Sequence, residues 1–138
     1  MRFWDSSALV PLVLKQPRSE RARQLFEEDA EPVVWWGSAL ECASAIARLY
    51  RERHLTRKQE QEARALLDAL RSSWFEVQPG DGVREQALRL LRLHPLRAAD
   101  SLQLAAALDW AGAPPAGAFV TFDDRLRDAA QREGFTIP

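Results

Sequence analysis

Two kinds of pattern alternate along the chain. Short apolar or aromatic runs, at Arg2–Asp5, Val33–Trp36, Trp74–Val77 and Phe119–Phe122, are each followed by stretches in which apolar residues recur every three or four positions. The short runs have strand composition and the longer stretches a helical period. Ala22, Leu25 and Phe26 mark an amphipathic helix over 19–28, and Ala39, Ala43, Ile46, Ala47 and Tyr50 mark another over 38–53. Ala63, Leu66, Leu67 and Leu70 form a stripe after Thr56, and Val83, Ala87, Leu90 and Leu91 form one over 82–93. A helix over 8–14 tolerates Pro11 in its early turns. The Ala- and Leu-rich stretch Arg97–Ala111 is stopped by Gly112, and a last helix runs through Ala129 and Ala130 to Gly134. Residues 113–117 form a Pro-rich loop, and Phe135–Ile137 predicts a short terminal strand. Strands alternating with helices predict an α/β fold with a parallel sheet covered on both faces.

The junctions between these elements carry the polar signals. Ser38 to Glu41 and Thr56 to Gln59 both read as capping boxes. Trp35 and Trp36 read as strand core, since a β-rich run in the middle of such a sheet is buried.

Composition narrows the class without naming a partner. A chain of 138 residues with 46% hydrophobic content fits a single domain over 1–138 that buries about 70% of its unfolded surface. Its 20 acidic and 19 basic residues nearly cancel, so a nucleic-acid partner has to be met by a local patch. All but two of the basic residues are Arg, the side chain suited to forked phosphate contacts. Cys42 stands alone among small apolar residues and reads as a buried, inert thiol in a reducing compartment. His54 and His94 have no partner at zinc-ligand spacing and read as surface or loop residues. With no leader pattern, and no run near the roughly 20 apolar residues that span a bilayer, a cytoplasmic location is expected.

The candidate chemistry lies in four acids. Asp5, Glu41, Asp100 and Asp123 all fall at helix starts, and each has a capping explanation: Asp5 and Asp123 as N-caps, Glu41 opposite Ser38, and Asp100 with Gln103. In a parallel sheet, however, helix starts that follow strands collect along one edge. Asp5, Glu41 and Asp123 then converge, and Asp100 can be aimed at the same place. Carboxylates so gathered raise one another's pKa unless a cation lies among them. An all-oxygen site selects Mg²⁺ or Mn²⁺, ions that activate water and clamp phosphoryl oxygens.

These motifs, in order, carry a resemblance over almost the whole chain. Asp5-Ser6-Ser7-Ala8-Leu9, Ser38-Ala39-Leu40-Glu41, Arg97-Ala98-Ala99-Asp100-Ser101 leading into Leu104-Ala105-Ala106-Ala107, and Thr121-Phe122-Asp123 together resemble the PIN-domain nucleases. Their spacing is most similar to the small VapC-type toxins of type II toxin–antitoxin systems. The resemblance implies a three-layer α/β/α sandwich and a Mg²⁺- or Mn²⁺-dependent endoribonuclease, dimeric and neutralised by a cognate antitoxin protein. It places Asp5, Glu41 and Asp100 at the three main acidic positions and Asp123 at the fourth, with Asp124 able to trade places with Asp123. Ser7 and Thr121 match the hydroxyl residues that support the first and fourth acids.

On this reading metal-activated water hydrolyses an RNA phosphodiester, Asp5 and Asp100 are the main metal ligands, and Glu41 and Asp123 bind a second ion or position water. Arg48, Arg51, Arg53, Arg57 and Arg97 are candidates for RNA backbone contact, and the early helices for holding an antitoxin segment in a groove. Two rivals fail on the residues: a phosphoaspartate phosphatase needs a second Asp where Ser7 stands, and a phospho-receiver needs a lysine late in the chain, after Lys58. The alternative that survives is a non-catalytic PIN-like module that binds RNA or protein.

Overall fold

A computed structural model covers residues 1–138. Its elements are β1 (Arg2–Trp4), α1 (Ser6–Val13), α2 (Ser19–Glu27), β2 (Pro32–Trp35), α3 (Ser38–Arg51), α4 (Arg57–Arg71), β3 (Phe75–Val77), α5 (Asp81–Leu93), α6 (Ala98–Ala111), β4 (Ala118–Val120) and α7 (Asp124–Arg132). The sheet has the order β3-β2-β1-β4 and is parallel throughout, with Phe3 opposite Val33 and Phe119, and Val33 opposite Phe75.

Successive strand residues point to opposite faces, and the two apolar cores divide accordingly. Phe3, Val33, Trp35 and Phe119 pack with Leu90, Leu104, Leu126 and Phe135 under α5, α6 and α7. Trp4, Val34 and Val120 pack with Leu9, Leu25, Ile46 and Leu67 under α1 to α4. Helices therefore cover both faces, giving the three layers expected. Helix α6 is buried almost all round, from Gln103 to Leu108, as suits a helix with no polar stripe.

The chain departs from the sequence expectations at several places. Trp36 is 51% exposed, because β2 ends at Trp35 and only the Trp36 backbone continues the ladder, its N–H donating to the Val77 carbonyl at 3.0 Å. The inward stripe of α3 is Ser38, Cys42 and Ile46, whereas Ala43 and Tyr50 face outward. Leu66 and Leu91 are likewise exposed. Strand β4 stops at Val120, so Thr121 and Phe122 leave the sheet, and the terminal strand shrinks to one bridge between Ala118 and Thr136. His94 is buried and held by Glu133 at 2.7 Å.

The Thr56–Gln59 capping box forms as expected, with bonds of 3.1 and 2.9 Å. The one at Ser38 does not. Gly37 is the N-cap of α3, and the Ser38 hydroxyl turns inward to Gln103. Gly37 is fixed by packing, since a Cβ there would lie 2.6 Å from Trp35 Nε1.

Candidate active site

Asp5 follows β1 directly at the carboxyl edge of the sheet and is 3% exposed. Its Oδ2 accepts from the Ser7 N–H at 3.1 Å, from the Ser7 hydroxyl and from the Thr121 hydroxyl at 2.9 Å. The first of these bonds caps α1, so capping and site are one structure. Ser7 Oγ in turn accepts from the Phe122 N–H at 2.9 Å, and Thr121 Oγ1 from the Asp123 N–H at 3.1 Å. Both hydroxyls thus bind the N-terminal acid to the segment after β4.

The other oxygen of Asp5 is nearly free. Ser6 Oγ lies 3.5 Å from Oδ1, but it stands 2.6 Å from Glu41 Oε2, which takes its proton. Glu41 Oε1 accepts from Gln103 Nε2 at 3.1 Å. Glu41 is therefore a positioned carboxylate beside Asp5, and the capping explanation for it fails.

Helix α6 brings the third acid. Asp100 and Gln103 are one turn apart and share a face, so the turn that holds Glu41 also presents Asp100. Asp100 Oδ2 takes only a long 3.4 Å bond from the Arg97 N–H, and the pairing expected with Gln103 is absent because that side chain reaches Glu41 and Ser38 instead. Asp123 caps α7 through Oδ1, which accepts from the Leu126 N–H at 2.8 Å. Asp124 points to solvent and pairs with Arg127 at 3.0 Å. Asp100 and Asp123 line one cleft of about 610 Å³ with Arg97, Phe122, Asp124 and Arg125.

No Lys, Arg or His forms an ion pair with Asp5, Glu41, Asp100 or Asp123. The other buried acid, Asp29, is matched by the N-terminal ammonium at 3.2 Å and by Trp4 Nε1 at 2.9 Å. Burial pushes the Asp5 carboxyl up to about 6; the Ser7 and Thr121 bonds oppose this and Glu41 adds to it. Cys42, walled in behind these acids, is pushed up to about 12 by the same loss of solvent, in keeping with an inert thiol.

The donor set fits a hard divalent cation: a buried carboxylate with one oxygen nearly free, a second beside it, and no protein cation paired with either. No three acidic side chains are packed tightly enough to hold an ion by themselves. Two of the four are held at helix starts, Asp123 by its cap bond and Asp100 by the Arg97 N–H. The four acids expected to converge do not meet at one ion-sized site: Asp5 and Glu41 stand together through Ser6, and Asp100 and Asp123 line a cleft whose lining includes neither.

Of the arginines read from sequence, Arg97 lines the cleft and Arg48 shares a groove with Glu41. Arg51, Arg53 and Arg57 lie at the opposite end of α3 and the start of α4, about 15 Å or more along the helix from Glu41 at 1.5 Å per residue. Ser6 and Gln103 were not foreseen as site residues. For Gln103 a signal exists, a single amide in the otherwise apolar run 102–108 of α6, which needs a buried partner.

The family model described as PIN domain matches residues 2–132. The chain belongs to this family. Among relatives, the PIN domain is 31% identical to Ribonuclease VapC46 of Mycobacterium tuberculosis over 135 residues, covering 98% of the chain and 94% of the relative. Its fold is similar to that of VapC20 of the same organism, titled a Sarcin-Ricin loop cleaving toxin, with a TM-score of 0.74, 17% identity, and 99% and 97% of the two chains covered. FitAcB from Neisseria gonorrhoeae gives a TM-score of 0.69 at 15% identity, covering 99% and 96%. A toxin-antitoxin complex from Klebsiella pneumoniae gives 0.62 at 17% identity, covering 89% and 87%. No helix of the PIN domain is long and apolar enough to cross a membrane.

Proposed function

We propose that this PIN domain is a VapC-type endoribonuclease that hydrolyses RNA phosphodiesters with a divalent ion, Mg²⁺ or Mn²⁺, and serves as the toxin of a toxin–antitoxin pair. The observation that carries this reading is Asp5, buried without a counter-cation beside Glu41, in a chain 31% identical to a ribonuclease. Asp5 and Asp100 are the principal ligands, with Glu41 and Asp123 completing the set or orienting water. The ion supplies a lowered pKa for water and neutralises charge on the phosphoryl oxygens.

The chain's own residues do the positioning. Ser7 and Thr121 saturate Oδ2 of Asp5 and leave Oδ1 for the site. Ser6 and Gln103 anchor the two oxygens of Glu41 from opposite sides. Arg97 stands at the mouth of the cleft, exposed and unpaired, where a phosphate of the substrate is held.

An antitoxin segment is accommodated in the groove of about 510 Å³ whose apolar lining is Val13, Leu14, Leu49, Leu55, Ala63 and Leu66 and whose remaining lining, Lys15 and Glu62 among it, is polar, in the manner of a helix in a groove. The active protein is a cytoplasmic homodimer. Cleavage of a mixed RNA pool with Mn²⁺, compared between the wild type and Asp5→Asn, tests the chemistry: the variant is expected to be inactive, and equal activity overturns the reading in favour of a binding module. Expression is expected to arrest growth, and co-expression of the neighbouring small gene product to restore it. An absence of arrest in the native host overturns the toxin role.

A further inference from the structure

We propose that Arg18, held over the ring of Phe122, is a pre-organised phosphate clamp that fixes the RNA strand against the carboxylate cleft. The inference rests on the ribonuclease reading and adds to it a residue from the end of the loop between α1 and α2.

Phe122 is tied to the centre by its backbone, since its N–H donates to the Ser7 hydroxyl that in turn binds Asp5. Its ring packs partly on the core beneath α1 to α4 and partly lines the cleft of Asp100 and Asp123. The Arg18 guanidinium carbon stands 5.2 Å from the ring centroid, within the range of a cation–π contact. A guanidinium held on a ring spends its apolar face there and keeps its N–H edges for other partners. Those edges are unspent. Arg18 makes no ion pair, and neither do Arg97 and Arg125 on the same cleft. Arg97 and Arg125 line the cleft and Arg18 stands beside it on Phe122, so unpaired guanidinium groups are available where a polyanion has to approach the carboxylates.

The contact also explains why Arg18 and not its neighbours. Arg21 bonds Gln24 at 3.1 Å and Arg23 bonds the Ser19 carbonyl at 3.3 Å, so both turn back on α2. Arg18 alone of the three is braced on a ring that lines the site. A phosphate is the better match than a base, because the ring face is already occupied and the free groups are donors.

The test measures binding of a fluorescein-labelled single-stranded RNA of random sequence, across a salt series, in the Asp100→Asn background with Mg²⁺ so that turnover is suppressed. Arg18→Ala is expected to raise Kd about tenfold and to lower the salt slope by about 0.7 to 1, the contribution of one phosphate contact. Arg18→Lys is expected to recover the slope but only part of the affinity, since it keeps the charge and loses the fork. Phe122→Leu, which keeps an apolar side chain on the core, is expected to weaken binding while leaving the slope at its wild-type value. Arg132→Ala, which removes the same charge from the far end of α7, is the control and is expected to change Kd less than twofold.

In the cleavage-competent chain, Arg18→Ala is expected to raise KM more than it lowers kcat, with Tm unchanged. If the parent chain binds and cleaves RNA but Arg18→Ala matches it in Kd and slope, the clamp is overturned and the ribonuclease reading stands. If the parent chain neither binds nor cleaves, both fall. A loss confined to particular bases overturns the phosphate assignment in favour of base reading.

Discussion

Replacing Asp5 by Asn should make the metal-free protein more stable while removing its proposed activity. The carboxyl rises from 3.8 to about 6 because it is buried. At about 1.4 kcal/mol per pH unit, ionising it in the folded state costs about 3 kcal/mol at neutral pH. Asparagine keeps an acceptor for Ser7 and Thr121 and turns an N–H toward Ser6 and Glu41, so most of the hydrogen bonding survives. The expected gain is about 1–3 kcal/mol, or a Tm rise of roughly 4–12 °C for a chain of this length.

The sign with pH is fixed by the same shift. Between about pH 4 and 6 the native state holds a proton that the unfolded chain has released. Wild-type stability therefore contains a component that falls as pH rises through this window and levels off above it. Asp5→Asn lacks that component. Thermal unfolding followed by circular dichroism from pH 4 to 8 in EDTA measures both quantities. Adding Mg²⁺ should then raise the Tm of the wild type and not of the variant. A variant that melts below the wild type at pH 7 in EDTA, with the same pH profile, refutes the claim that burial dominates the energetics of Asp5.

Other outcomes follow from separate parts of the molecule. Glu133 is held below its ordinary 4.5: its Arg89 and His94 partners outweigh the opposing effect of burial. Its share of stability is complete above pH 4.5 and lost as the pH falls further, so Glu133→Gln should flatten the acid limb of the unfolding curve; an unchanged limb refutes this. Gly37→Ala should cost about 1–3 kcal/mol in urea unfolding through the clash with Trp35; no loss would mean that the indole moves freely, since φ of −77° at Gly37 imposes no backbone penalty. The Cys42 thiol, fully buried and pushed up to about 12, should react with Ellman's reagent at pH 8 only as fast as the chain opens. Prompt labelling of the native protein would contradict its burial.

The periodicity of the chain was enough to place the elements because local patterns agree with the layers they form: Phe3 and Trp4, or Val33 and Val34, split between two cores just as alternating strand residues should. Membership of the PIN domain family was legible from the order of the four acidic motifs. What local pattern could not show is which of two uses a polar residue takes. Ser38 and Glu41 have capping spacing, yet Glu41 bonds Gln103 across 62 positions and Ser6 across 35, and those tertiary partners displace the local bond. Trp36 misled for a related reason, since composition marks a strand but not where it stops. His94 looked solitary because its partner, Glu133, lies 39 residues on.

The wiring of Asp5 also sets when the centre comes into being. Its supporting hydroxyl at Thr121 is 116 positions away, and the Phe122 N–H that fixes Ser7 is 115 away. Strand β1 lies between β2 and β4, so a chain still being synthesised can pair its first three strands while one side of β1 stays open. Until the segment after β4 arrives, the first acid lacks the clamp that orients it. A product that ends at or before β4 therefore lacks the Thr121 and Phe122 bonds that hold Asp5 and Ser7.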